Sequence, residues 1–423
     1  MERLLNLTRQ QLAVFICGVM IVALIYSKFL LTIGMILLLL ISLLDVRTGA
    51  RVNIAFNPEL KHNFRKIWWR KDFLVVSLFF LLVLFSGIYS TDLGYLGERL
   101  RIKLPFLLLP FAFIGIPPFS ERQYLSLFYL LILVVGCSAI PVGINYWLDY
   151  EHIHENMQKG QTIPTPMNHI RYSLLIAFSV LSGAALWWKG FFLKYKQERY
   201  LIAGITIFLF FFLHILSVRS GLLVLYISIL FLSLRFMFLS KQYLLGLGMI
   251  GGLALFAVIA LKTVPSLQAK VNYMHYDFEQ YLKGNHKNYS DAERFISMEA
   301  GLKIGNRNPL IGVGAGDLKA AVKEIYEKEY PDIPKPKMPH NQFLSVYAGT
   351  GILGLSIFLF AFFFPLCYRK NYQDVLFTIL HVIVFCSFFI ENTIETAIGV
   401  AFYVLFLMIG LNRRGGKSAD RGH

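Results

Sequence analysis

Residues 201–238 read LIAGITIFLFFFLHILSVRSGLLVLYISILFLSLRFMF. Two apolar runs, 201–217 and 221–238, are separated only by Val218, Arg219 and Ser220. An apolar helix of about 20 residues spans a bilayer core, so the stretch predicts two membrane helices joined by a tight turn. Lipid offers no partner for backbone polar groups, which leaves helices as the way for such runs to cross.

The rest of the chain repeats the pattern. It has 423 residues, 56% hydrophobic and 16% charged, far more apolar than a soluble domain requires. Twelve spans are expected, at 12–27, 29–44, 73–90, 104–116, 125–146, 170–188, 201–217, 221–238, 243–261, 342–365, 375–390 and 396–411. The fourth is short and carries Pro105 and Pro110, which predicts a kink or a partly re-entrant segment. The expected fold is an all-α polytopic membrane protein. Its organisation is membrane helices over 1–261, a polar helical loop over 262–339, three more membrane helices over 340–411, and a tail over 412–423.

Lys and Arg set the orientation. With the N-terminus in the cytoplasm, the inner segments hold 22 basic residues and the outer ones 19, of which 12 lie in the long 262–339 loop. Long loops do not count for the rule, so the comparison is 22 against 7. Both termini are expected inside and the long loop outside. The net charge of +16 suits an anionic inner leaflet. The basic residues are dispersed between spans, which argues against nucleic acid as a partner. The first apolar run lacks a small-residue cleavage site, so no cleaved signal peptide is expected. Cys17, Cys137, Cys367 and Cys386 fall in or beside spans and read as apolar fillers, not a disulfide framework.

The outer loop predicts three helices. The first, about 266–283, carries Leu267, Val271, Met274, Phe278 and Tyr281 on one stripe. The second opens on a capping box of Ser290 and Glu293 and sets Phe295, Met298 and Leu302 on one side. The third follows Asp317 as N-cap and stops at Pro331. The stripes are expected to pack on each other or on the membrane surface.

Ionisable residues at membrane depth are costly and default to functional candidates. Arg219 lies between two spans, where snorkelling is the plainer explanation. Arg294 sits in the first turn of a loop helix, and His340 opens the tenth span in PHNQFLSVYAGTGILG (339–354). His169 and Arg171 begin the sixth span. Tyr146 and Tyr172 read as interface aromatics, His214 as a structural residue without a partner, and His152 and His154 as too few for a metal site. GVGAG (312–316) follows no strand and lacks a Walker lysine, so tight-turn glycines explain it better than a nucleotide loop. Arg219, Arg294, His340, His169 and Arg171 converge on the outer face. Guanidinium forks match phosphate oxygens, and a histidine can take a proton from a hydroxyl. The set suits a lipid diphosphate and an attacking hydroxyl.

The pattern His340-Asn341, nine residues, then Gly351-x-x-Gly354 resembles the O-antigen ligase and polymerase superfamily. The arginine-led stretch 293–318 and SVRSGLL (217–223) resemble that family's segments in the same order. Met298 departs from it, since a tryptophan is common four residues after the loop arginine. The resemblance implies a twelve-helix fold with a periplasmic cap, in the bacterial inner membrane. It implies metal-independent, inverting transfer of a glycan from undecaprenyl diphosphate to a hydroxyl, with the lipid A-core sugar as acceptor in the ligases. No cofactor and no nucleotide is implied. Arg219 and Arg294 would bind the diphosphate and His340 would activate the acceptor. Asn341 would orient the histidine or bind a sugar hydroxyl, with Arg171 and His169 as further substrate contacts. The motif's glycines would let helices approach closely. A polymerase or a protein O-oligosaccharyltransferase would share this chemistry. A transporter is the rival of another class, but the chain shows no internal repeat, and its ionisable residues gather outside rather than at mid-membrane.

Overall fold

The computed structural model describes residues 8–48, 52–282 and 290–419. Among them, seven helices are long and apolar enough to cross a membrane, beginning with Arg9–Tyr26 and ending with the one that opens at Gln342. Lys28–Leu43, Val375–Phe388 and the apolar part of Ala397–Ala419 are shorter apolar helices. The third expected span is divided at Ser77 into Lys71–Val76 and Leu78–Ser86. The fourth is the ten-residue helix Pro105–Ile114, with Pro105 in its first turn and Pro110 inside. The all-α expectation holds apart from one antiparallel hairpin, Leu44–Thr48 with Val52–Phe56, in the register Leu44 to Phe56.

Several helix starts are written in the local sequence. Ser120 and Gln123 form a reciprocal capping box for Glu121–Leu148, and Thr8 with Gln11 does so for Arg9–Tyr26. Asn168, Asn341 and Asp374 each accept a backbone N–H at the start of a span. Contacts between connecting segments sort them into two polar ends. At one end Arg413 pairs with Asp374 and Glu121, and Arg70 pairs with Asp72 and donates to Leu411 O. At the other, Thr91 and Asp92 donate to Asp317, Lys103 pairs with Glu395, and His340 meets Glu391.

The cap consists of Pro265–Leu282, Ser290–Arg307 and Leu318–Glu329. Its helices lie where expected, but most of the apolar stripes are not the faces by which the helices pack on one another. On the first, Met274 and Phe278 are exposed, while Ser266, Lys270 and Asp277 are buried with Leu267 and Ala269; Tyr281 has no described side chain. On the second, Phe295 and Leu302 are exposed and the core is built from Ile296, Ala300 and Ile304, packed with Val322, Ile325 and Tyr326. Small residues explain the choice. Gly301 sits against Pro339 and Leu344, and Gly305 against Tyr347, with no room for a side chain at either. The helix therefore packs its small-residue face on Gln342–Cys367. The Ser290 side chain lies outside the described residues; Glu293 pairs with Lys337. Asp317 is the N-cap residue of Leu318–Glu329 but makes no side-chain cap. Its carboxylate accepts from Thr91 and Asp92 instead, tying the cap to the membrane helices.

Gly351 breaks the long helix, with φ 64° and ψ −167°, a region essentially closed to other residues. A Cβ there would meet the Leu310 carbonyl carbon at 2.2 Å. Through the gap, Ile352 N donates to Pro309 O and Leu353 N to Leu310 O. Val313 N and Gly314 N then donate to Ala348 O and Gly349 O. Gly351 thus admits the 309–314 backbone, while Gly354 lies against Leu82 of the neighbouring Leu78–Ser86 helix. Tyr172 is fully buried and bonded to Ser138 at 2.9 Å, not an interface aromatic. His214 does have partners, Phe210 O and Tyr226 Oη, each at 2.8 Å. His152 pairs with Asn156, and His154 stacks on Tyr150.

Candidate active site

Arg219 is the first residue of Arg219–Ser240. The preceding helix ends at Ser217 in the left-handed conformation, φ 52°. The Ser217 hydroxyl donates to His214 O at 2.8 Å and lies 2.7 Å from Ser266 Oγ. The turn is therefore Ser217–Val218, one residue earlier than expected. Two residues on, Gly221 lies against Ser173 too closely for any side chain. That close approach sets Arg219–Ser240 beside His169–Trp188, and Arg219 lines the same cleft as Arg171.

Four of the five convergent candidates reach one cavity from three membrane helices or their mouths, His169 and Arg171 from the same one, and the cap supplies the fifth. His169, Arg171, Arg219, Arg294 and His340 all line a cleft of about 520 Å³. Sequence reasoning did not find Lys270, Lys337, Glu391 and Asn392, which line the same cleft. The Lys270 ammonium is held by Gly160 O at 3.0 Å and by Gln161 O. The site is strongly cationic, with Glu391 as its acid.

Glu391 is the hub. Its Oε1 lies 3.2 Å from His340 Nδ1 and 3.9 Å from Arg294 Nη2, with only 13% of its side chain exposed. Burial alone would raise its carboxyl. The hydrogen bond and charge of His340, with Arg294 and Arg171, outweigh burial and hold it below the ordinary carboxylate range. An ionised Glu391 accepts the Nδ1–H, which leaves the Nε2 lone pair as the proton acceptor.

The 389–395 connection is stapled to the mouth of the tenth span. Asn341 Nδ2 donates to Phe389 O at 3.3 Å. Gln342 Nε2 donates to Glu395 Oε1 at 2.7 Å, and Ile394 N donates to Gln342 Oε1 at 3.0 Å. Lys103 Nζ bonds Ile394 O at 2.7 Å and Glu395 Oε1 at 2.6 Å. The Glu395 carboxyl follows Glu391: burial raises it, and Lys103 with Gln342 brings it below its ordinary value. From the cap side, Ser297 Oγ accepts the His340 N–H at 3.1 Å. Asn341 does not line the cleft; its side-chain oxygen caps Leu344 N at 3.0 Å. These bonds fix the backbone that carries His340.

The fold is that of a polytopic membrane protein, and the cleft at its polar end gathers arginines, whose forks match phosphate oxygens, around a carboxylate-backed histidine, a group able to accept a proton. Residues 204–359 match the family model described as O-antigen ligase. The match covers 156 of the 423 residues; it is a likeness to the O-antigen ligase family over that stretch and supports a ligase- or polymerase-type function in general. It spans Arg219, Arg294 and His340, and it ends before Glu391. No curated protein matches the chain.

Proposed function

We propose that the chain is an O-antigen ligase. It transfers a glycan from undecaprenyl diphosphate to a hydroxyl of a lipid A-core sugar on the periplasmic face of the inner membrane. Both termini then lie in the cytoplasm. The observation that carries this reading is the single cleft in which Arg171, Arg219 and Arg294 surround the His340–Glu391 pair.

In the proposed reaction the arginines hold the diphosphate oxygens, and the isoprenoid stays in the bilayer. The acceptor O–H gives its proton to His340 Nε2 while its oxygen forms the bond to the anomeric carbon. The bond from that carbon to the diphosphate oxygen breaks, and the electron pair leaves with the diphosphate, matched by guanidinium charge. Attack opposite the leaving group inverts the anomeric centre. Glu391 stabilises the imidazolium as it forms. Outside the cytoplasm the energy must already be stored in the donor, so the site needs positioning and charge rather than a nucleotide.

The deciding experiment incubates purified protein with the lipid-linked polymer and the lipid A-core glycolipid in detergent, followed by mass spectrometry. Transfer of intact chains to the glycolipid supports ligation. Growth of chains on the carrier means a polymerase, and no transfer by folded protein defeats the enzyme reading.

A further inference from the structure

A second groove, of about 500 Å³, opens between Lys28–Leu43, Pro105–Ile114 and Ala397–Ala419, lined among others by Lys28, Met35, Leu39, Arg101, Leu108 and Ala401. Its walls are apolar except near one end. Lys28 starts its helix and Arg101 lies just before Pro105. The two helices run in the same sense, because Gly115 at the far end of one abuts Ser42 at the far end of the other. Both cations therefore sit at the same end of the groove. That is the end of the cleft, since Lys103, two residues from Arg101, binds the 394–395 segment.

Neither cation forms an ion pair among the described residues, and both are exposed. Arg99 and Lys103, on the same helix as Arg101, are occupied by Glu98 and Glu395. From Lys28 to Leu39 the wall extends roughly 16 Å at 1.5 Å per residue, about half of the ~30 Å hydrocarbon core. The groove is one leaflet deep, with two uncommitted cations at head-group level. Ile398 lines both this groove and a small apolar slot that reaches Arg171 and Thr393 of the cleft.

Transfer between two lipids needs two lipid seats, and the cleft's arginines serve only the donor diphosphate. We infer that this groove seats the acceptor, a phosphorylated glycolipid, with an acyl chain between the helices and a phosphate on Lys28 and Arg101. This rests on the two-lipid reaction proposed above. Charge complementarity favours a phosphorylated lipid, and the continuity through Ile398 favours the acceptor over a bystander.

The test uses full-length protein in nanodiscs and a bisphosphorylated disaccharide glycolipid of the lipid A type, carrying a photoactivatable group in one acyl chain. Label is expected on the groove walls around Met35 and Leu108, displaced by unlabelled glycolipid but not by equimolar phosphatidylglycerol. Lys28→Ala with Arg101→Ala should weaken binding roughly 30-fold, from about 1 kcal/mol per surface cation. The acceptor KM should rise by a similar factor with the donor KM unchanged. Ile36→Trp, on the lipid-facing side of the groove, should block labelling without lowering the melting temperature or donor binding. Label elsewhere, displacement by phosphatidylglycerol, or preference for the polyprenyl diphosphate would each overturn the inference. Wild-type protein that labels in the groove yet transfers nothing would sink the transfer reading and leave a glycolipid site. Transfer without groove labelling would sink the groove alone.

Discussion

Glu391→Gln isolates the carboxylate behind the histidine. The swap keeps the side chain's size and its ability to accept from His340 Nδ1, at 3.2 Å in the native site, but removes the charge. A hydrogen bond to a charged group contributes about 1.5–3 kcal/mol, and Glu391 is largely shielded from water. Much of that contribution appears only when the imidazole becomes cationic, so it belongs to the transition state. Taking about 2–3 kcal/mol at 1.36 kcal/mol per tenfold, kcat should fall roughly 30- to 160-fold. Donor KM should change little, because the arginines remain. The assay is glycan transfer in detergent over a range of donor concentrations, with gel filtration and thermal unfolding as controls for folding. A variant with wild-type kcat, or one that loses donor binding and keeps turnover of what it binds, would refute the assignment.

Arg219→Lys and Arg294→Lys should each reduce transfer at least tenfold with folding intact, because lysine keeps the charge and loses the planar fork; near-native rates for both would remove the diphosphate clamp. Gly351→Ala should destabilise the protein by more than 2 kcal/mol, or prevent its isolation, since the Cβ meets Leu310 backbone at 2.2 Å in a strained region worth about 1–3 kcal/mol by itself; an unchanged thermal transition would contradict this. Glu391 has a folded-state pKa below its ordinary value of 4.5, so its contribution to stability is complete above that value and is lost as pH falls through the folded value. The stability gap between wild type and Glu391→Gln should therefore close on acidification below about pH 4.5, and a gap that widens there would reverse the sign of the argument. In a cysteine-free background, Glu327→Cys on the cap should react with an impermeant thiol reagent from the periplasm and Lys196→Cys should not; the opposite pattern would invert the topology.

The helical membrane fold was legible because apolar runs of spanning length leave the backbone no other solution. Helix starts were legible where Ser, Thr, Asn or Asp supplied a local acceptor, as at Ser120 and Asn168. The faces of the cap helices were not. The large apolar residues Phe295 and Leu302 suggested one side, yet Gly301 and Gly305 permitted closer packing on another, and closeness decided the interface. Arg219, Arg294 and His340 stood out because charge beside apolar runs is conspicuous. Lys270 and Glu391 were hidden for opposite reasons. The lysine lay among a dozen basic residues of one loop, and the glutamate followed the eleventh span as an ordinary loop acid. Its meaning depends on the 389–395 connection folding back onto residues 340–342, a long-range pairing with no periodic signature. One signal was present: an acid at the same end of the molecule as His340, in a segment otherwise poor in charge.

In the proposed reaction His340 is the base that activates the acceptor. The most direct measurement is His340→Ala assayed for donor binding and glycan transfer in the same preparation. The arginines should keep donor affinity within a few-fold of wild type, and transfer should fall by about 10²–10⁴. Transfer that survives at the native rate would contradict the base role, and loss of donor binding together with transfer would make His340 a ligand of the diphosphate instead.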